Sequence, residues 1–501
     1  MVLRSGWVIG LGFTLAAGSA FGQAQPNGAV QSMPSLRSAT MTKATPNRAA
    51  AKTSLAPPGT PHTLAEALAA TYSTQPALLA ERAKLRATDE NVPQALSGWR
   101  PTVIMAGTTG YGDGMSRQFT SGGFLNNRTD RLVGTAQATL TQPLYNGGKT
   151  PATINRAKNQ VMAERATLIQ QEQTSFTNVV TAYVGVIQAQ QVLALNVNNE
   201  QVLAKQLQAT NDRFRVGEIT RTDVAQAEAA LAGATAQRQT SEGNLQTARG
   251  VYQQVVGFLP PGDLVEPQPL SLPAKNEQDA IALAANNNPQ VIAALFNDAA
   301  AKDAVDIAFA QLLPQVSFQG QMFQTDNSSI RSSQQNGYQA LLQLSVPVYQ
   351  GGQEYSAVRQ AKQSEQQTAK LVDDARRTAV QNAVQSWETL AAAKASANST
   401  RAQIQANSIA LEGVEREAIV GSRTTLDVLN AQQALLQSQV TLVQNLAQVV
   451  TASYQVAAAI GRLTARDLNL PVPLYDETAY YNAVKNKWVG LGDYATGQPG
   501  R

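Results

Sequence analysis

Two textures alternate along this chain, and their order repeats. The first has period two. From Gln315 onward, Val316, Phe318 and Met322 fall on one side while Gln315, Ser317, Gln319 and Gln321 fall on the other. Leu342, Leu344 and Val346 alternate in the same way with Gln343 and Ser345. This alternation predicts strand pairs at 102–111 with 132–142 and at 315–325 with 338–346. No charged residue occurs between Leu132 and Gly148, between Gln315 and Thr325, or between Ser332 and Gln353. An uncharged strand of about ten residues with one apolar and one neutral-polar face suits a wall between lipid and water. Gly110, Gly112 and Gly114 mark the expected start of the first hairpin's outer loop.

The second texture is helical. Although the chain holds 22 prolines, none falls from Ala152 to Leu259 or from Val348 to Leu470, and both stretches are dense in Ala, Gln, Leu, Glu and Arg. Each is broken once, near Gly217 and near Gly421. The arm from Ala152 to Phe214 spans ~95 Å if helical throughout. Its apolar positions are sparse, as in Val179, Val180, Tyr183, Val184 and Ile187, so such helices must pack side by side to be stable. Shorter helical segments at 64–96 and 277–312 precede the strand pairs.

These elements belong to an internal duplication. Pro76 matches Pro289 and Pro101 matches Pro314, both displaced by 213 residues (289 − 76 and 314 − 101). Pro143-Leu144-Tyr145-Asn146-Gly147-Gly148 matches Pro347-Val348-Tyr349-Gln350-Gly351-Gly352, displaced by 204 (347 − 143). The segments Val216-Gly217 to Asp223-Val224 and Val420-Gly421 to Asp427-Val428 share that second displacement, as do Gly257 and Gly461. One deletion between Pro314 and Pro347 reconciles all five landmarks. Each copy supplies two strands, and four strands cannot close a barrel, so several copies must share one.

Composition narrows the chemistry. With no cysteine and one histidine, His62, there is little material for thiolate or imidazole sites. A net charge of +4, with scattered Lys and Arg, gives no nucleic-acid footprint. Neither a phosphate loop nor a nucleophile–base pair is visible, so no catalysis and no cofactor are expected. Arg4, the apolar run Trp7 to Ala17 and Ala20-Phe21-Gly22 read as a signal peptide. No later segment approaches 18 uninterrupted apolar residues, so any membrane crossing is expected from strands. The expected organisation is a signal peptide at 1–22, a disordered Pro/Ala/Thr-rich arm at 23–61, a first repeat at 62–260, a linker at 261–276, a second repeat at 277–464 and a tail at 465–501. The tail's Tyr475, Tyr480, Tyr481 and Trp488 either pack around the waist of the rod or fray.

The two helix-to-helix turns carry the sharpest local pattern. Gly217 and Gly421 fit helix C′ positions, while Thr220 with Asp223 and Thr424 with Asp427 fit capping boxes. With the Pro-Leu-Tyr-Asn-Gly-Gly and Pro-Val-Tyr-Gln-Gly-Gly strand exits and the duplicated helix–strand–strand–helix–helix plan, the chain resembles the TolC-type outer-membrane efflux and secretion channels over about residues 62 to 463. The resemblance implies an α+β membrane protein, a homotrimer in which each chain gives four strands to a shared 12-stranded β-barrel above a long α-helical coiled-coil barrel in the periplasm. It implies a passive exit duct in the bacterial outer membrane, opened by a periplasmic adaptor (membrane fusion) protein and an inner-membrane ABC, RND or MFS transporter. By position, Val216, Gly217, Glu218, Val420, Gly421 and Ser422 become adaptor-contacting tips, Asp223 and Arg423 a latch across the closed aperture, and Asp427 part of an acidic ring. Two positions depart from the family pattern: Asn430 stands where a second ring aspartate is expected, and Ala418 where the gate has a tyrosine. The alternative reading is an exported coiled-coil surface filament, whose long polar helices would look similar.

Overall fold

The computed structural model describes residues 61–327, 332–492 and 494. The signal-peptide segment and all of the arm but residue 61 lie outside the described residues. The first repeat opens with α1 (Leu64–Thr74), α2 (Pro76–Asp89) and α3 (Asn91–Leu96). A hairpin follows, β1 (Thr102–Thr120) and β2 (Gly123–Asn146), and then the long arms α4 (Lys149–Arg215) and α5 (Arg221–Val256). The second repeat runs through α6 (Glu277–Asn287), α7 (Pro289–Phe309), β3 (Gln315–Asp326), β4 (Gln334–Ser345), α8 (Gln353–Ile419) and α9 (Thr425–Ala459), and a short α10 (Ala479–Val484) lies in the tail.

The duplication is geometric as well as sequential. Both α4 and α8 have 67 residues, a rod of ~100 Å each at 1.5 Å per residue. Each is entered through two consecutive left-handed glycines, Gly147 and Gly148 at φ 65° and 83°, Gly351 and Gly352 at φ 71° and 84°. These turn the chain from strand to helix in a conformation that Cβ atoms disfavour. The opening helical segments are not continuous as expected. Both break at an X–Pro step, Gln75–Pro76 and Asn288–Pro289, where the residue before proline is extended and the proline starts the next helix at its first position. The first copy breaks again at Glu90.

The main core forms where α1, α2, α4, α5, α9 and the tail meet. Phe176, Val179, Val180, Tyr183 and Val186 of α4 are fully buried there. The Tyr183 hydroxyl shares its one proton between the carbonyls of His62 and Val265, at 2.8 and 2.7 Å, so this ring ties the start of the first repeat to the linker that follows it. By length and composition α4 contains one window apolar enough to cross a membrane. Phe176, Val179, Val180, Ala182, Tyr183, Val184, Val186 and Ile187 are buried against neighbouring helices while Asn178 and Thr181 are exposed, so the apolar side chains form a packing face.

From Ala465 to Tyr481 the tail packs rather than frays. Ala465 and Leu470 join the main core, Tyr475 N–H donates to the Tyr72 hydroxyl at 3.0 Å, and Tyr480 donates to Glu90 at 2.8 Å. Arg82, 1% exposed, is held between the rings of Tyr72 and Tyr475 and donates to the Tyr72 carbonyl.

Candidate functional site

The four strands form one antiparallel sheet in the order β1-β2-β3-β4. Its register sorts side chains by face, because paired residues share a side. Val103 pairs with Leu140 and Met105 with Ala138; Ala138 pairs with Met322, which pairs with Tyr338. Phe318 and Val316 pair with Leu342 and Leu344. One face is therefore apolar from edge to edge. The opposite face is mainly polar: it carries Thr108, Thr135, Gln137, Thr139, Ser317, Gln319, Gln321, Gln339 and Gln343, with Ile104, Phe323 and Leu341 set among them, a Thr108–Thr135 hydrogen bond at 2.5 Å and another between Gln339 and Gln321. The apolar face is exposed in the protomer, with Met105 at 84% and Leu342 at 70%. Among the described residues the edges β1 and β4 have no further partner strand. A sheet with a bare apolar face and two open edges is complete only when other copies extend it and lipid covers it.

The first hairpin is longer than the alternation predicts. β1 has 19 residues and β2 has 24, and Gly110 to Gly114 are paired within the ladder against Val133 to Thr129 rather than opening a loop. At about 3.3 Å per residue β1 reaches ~60 Å, about twice the hydrocarbon thickness of a bilayer. Its outer half is charged, with Arg128 bridging Asp113 at 3.0 Å and Arg117 lying over the Phe124 ring. The missed signal is physical. Glycines and charges erase the apolar alternation, but backbone pairing continues above the membrane because the ladder and cross-strand pairs hold it together. β4 likewise starts earlier, at Gln334, and ends one residue before Val346.

At the far end of the rods the two turns share one construction. In the first, Gly217 N–H donates to Phe214 O at 2.9 Å and Glu218 N–H to Arg213 O at 3.0 Å; in the second, Gly421 donates to Ala418 O at 3.3 Å and Ser422 to Glu417 O at 3.0 Å. This is the paired bonding of a glycine-terminated helix, with φ 78° and 80° at the glycines. The next helix then starts on a closed capping box. Thr220 receives the Asp223 N–H and donates its own N–H and hydroxyl to Asp223 Oδ2, and Thr424 and Asp427 repeat the pattern. These bonds hold both carboxyls below the usual carboxylate range, chiefly through the Thr220 hydroxyl at Asp223 and the Thr424 backbone N–H at Asp427.

Each turn also carries an ion pair that sequence spacing did not single out. Arg213 bridges Glu218 at 2.5 Å, and Arg423 bridges Glu417 at 2.8 Å. Arg213 and Glu417 occupy equivalent positions (417 − 213 = 204), so the second copy has the polarity of the first reversed. Opposite charges five or six residues apart across a helix-ending glycine were the available signal. Within the protomer, then, Asp223 bonds Thr220 and Arg423 bonds Glu417; the two residues expected to form a latch are not bonded to each other. Val216, Ile419 and Val420 stand 77–79% exposed at the tips.

The comparisons with known proteins bear on both ends of this rod. The family model described as outer membrane efflux protein matches residues 68–257 and 280–462. The chain belongs to the outer membrane efflux protein family. It is 36% identical over 433 residues to the outer membrane efflux protein BepC of Brucella suis, covering 86% of this chain and 92% of that one. It is 25% identical over 416 residues to the outer membrane protein TolC of Escherichia coli, covering 79% and 81%. Its fold matches the outer membrane protein VceC of Vibrio cholerae with a TM-score of 0.69 at 19% identity, covering 79% of this chain and 96% of that one. This member of the outer membrane efflux family therefore lies in the outer membrane as a channel protein, its four strands contributing to a barrel and its arms to a helical tunnel in the periplasm.

Proposed function

We propose that this chain assembles as a homotrimer whose twelve strands close one barrel, and that it is a passive, non-catalytic exit duct opened from the periplasmic side. The sheet carries this reading: one apolar face, one neutral-polar face and two unpaired edges on a protomer that ends in two charged, glycine-turned tips. The exposed tips at Val216, Gly217, Glu218, Val420, Gly421 and Ser422 are the docking points for a periplasmic adaptor, which couples the duct to an inner-membrane transporter. Among relatives, one from Pseudomonas aeruginosa is named for alkaline protease secretion and one from Cupriavidus metallidurans for cobalt-zinc-cadmium resistance, which supports a duct that passes very different cargoes.

In this reading Arg423 exchanges partners. Open tips leave it on Glu417; the closed aperture brings it to Asp223 across the opening, where the capping bonds occupy only Oδ2 of that carboxylate. Asp427 adds negative charge beside it. Single-channel conductance of the purified trimer in planar bilayers tests the scheme. Asp223→Ala with Arg423→Ser raises conductance if the pair closes the aperture; unchanged conductance rejects the latch. A chain that stays soluble without detergent and never conducts would instead support the filament.

A further inference from the structure

The tail of this protein climbs the rod toward the membrane. Tyr475 packs over Arg82 of α2, Tyr480 bonds Glu90, and Tyr481 packs on Val92, Ala95, Ala157 and Val161 at the top of α3 and α4. Lys487 and Trp488 then reach Arg100, two residues before β1 begins: Arg100 Nη1 donates to the Lys487 carbonyl at 2.6 Å, and its guanidinium lies 4.8 Å from the Trp488 ring centre. The segment thus ends at the level where the chain enters the barrel.

What it presents there is specific. Trp488 is 67% exposed, Val489 88% and Leu491 fully exposed. From Ala479 to Gly492 the charged residues are Lys485 and Lys487, with no Asp or Glu. Exposed Trp99, Tyr145 and Tyr349 lie at the strand bases, and Lys149 is exposed at the start of α4. Aromatic residues with an apolar body and a polar edge collect at the boundary between headgroups and acyl chains, and lysine and arginine beside them meet acidic headgroups. Trp488, Val489 and Leu491 extend that belt outward from the strand bases.

We propose that residues 485–491 form a membrane-surface anchor, in which Trp488, Val489 and Leu491 dip into the periplasmic leaflet while Arg100, Lys485 and Lys487 face its acidic phospholipid headgroups. Apolar side chains of an interfacial segment sink about 5–10 Å below the headgroups. The strands hold the protein in the bilayer without help, so the anchor sets the depth and tilt of the rod beneath it.

The test uses the full-length trimer in vesicles of phosphatidylethanolamine and phosphatidylglycerol, with Trp99→Phe and Trp387→Phe so that Trp488 is the reporting tryptophan of the mature chain. Replacing the lipids by versions brominated near the top of the acyl chain should remove most of the Trp488 emission, and Lys485→Gln with Lys487→Gln should weaken that quenching most in phosphatidylglycerol-rich vesicles. Emission that is blue-shifted yet unquenched would mean that protein, a second copy or the N-terminal arm, covers the segment, and would overturn the proposal. Red-shifted, unquenched emission would place the segment in water and overturn it too. The same vesicles report conductance, so a duct that conducts with an unquenched Trp488 rejects the anchor alone.

Discussion

Single residues carry the most sharply testable chemistry, and Asp89 is the clearest case outside the tips. It sits at the end of α2, 1% exposed, and neither carboxylate oxygen has a hydrogen-bond partner among the described residues. Burial pushes its pKa up to about 7; Arg165 and Arg86 oppose the shift, while Glu90 and the tail's Glu477 reinforce it. The folded state then binds a proton that the unfolded chain has released by about pH 4, so the folded state loses stability as pH rises from there toward 7. Asp89→Asn should raise the thermal midpoint at about pH 8, corresponding to about 1–3 kcal/mol, and leave it nearly unchanged at about pH 4. Equal shifts at both pH values would show that ionisation is not the cause. The pair Arg423–Glu417 belongs to this scale as well, since a guanidinium already engaged within its own turn must leave one carboxylate to reach another.

At the scale of elements, the junctions matter more than the rods. Gly147 is buried where β2 hands over to α4, and a Cβ there would stand 2.6 Å from the Ala310 carbonyl oxygen and 2.8 Å from Leu313 Cβ. Gly148 next to it meets nothing within 4 Å. Both have positive φ, so alanine is strained at either, at roughly 1 kcal/mol. Gly147→Ala adds a steric clash with backbone and should strongly reduce the yield of outer-membrane trimer, whereas Gly148→Ala should assemble nearly normally; heat-modifiable mobility on gels reads both. The capping boxes are the other junctions. Thr424→Ala removes the hydroxyl that receives the Asp427 N–H and should cost about 1 kcal/mol at the start of α9, seen as faster hydrogen exchange at 425–428. These junctions were legible beforehand, because a glycine pair after a strand and Thr-x-x-Asp after a glycine are local chemistry. The breaks at Pro76 and Pro289 were legible only in part, since a proline permits a helix to start as readily as it ends one.

For the whole molecule, the sheet's two faces meet different solvents, and neighbouring residues of β4 separate them. Leu342 lies on the apolar face, which the proposed duct turns to lipid, and Gln343 on the opposite face, which it turns to the lumen. Leu342→Arg places a charge against hydrocarbon and should cost about 2–4 kcal/mol near the bilayer midplane, read as loss of trimer from outer-membrane fractions. Gln343→Arg should insert normally and shift ion selectivity toward anions in planar bilayers. Equal insertion defects at both positions would mean that the faces are wrongly assigned.

Taken by itself, the sequence determined the repeat, the strand pairs, the two long helical arms, their glycine turns and the capping boxes. All of these depend on neighbours within a few residues or on the spacing of like elements, and both are written along one dimension. Tertiary structure decided the rest. The outer half of the first hairpin continues as strand because partner strands hold Gly110 to Gly114 in register, although their own propensity opposes it. The tail packs as far as Tyr481 because Tyr475, Tyr480 and Tyr481 find Tyr72, Glu90 and the α3–α4 cluster, partners more than three hundred residues away along the chain. At the tips, the Asp223 capping box was written in the sequence, but that Arg423 rests on Glu417 of its own turn and not on Asp223 of the other is set by distance in space between the two turns.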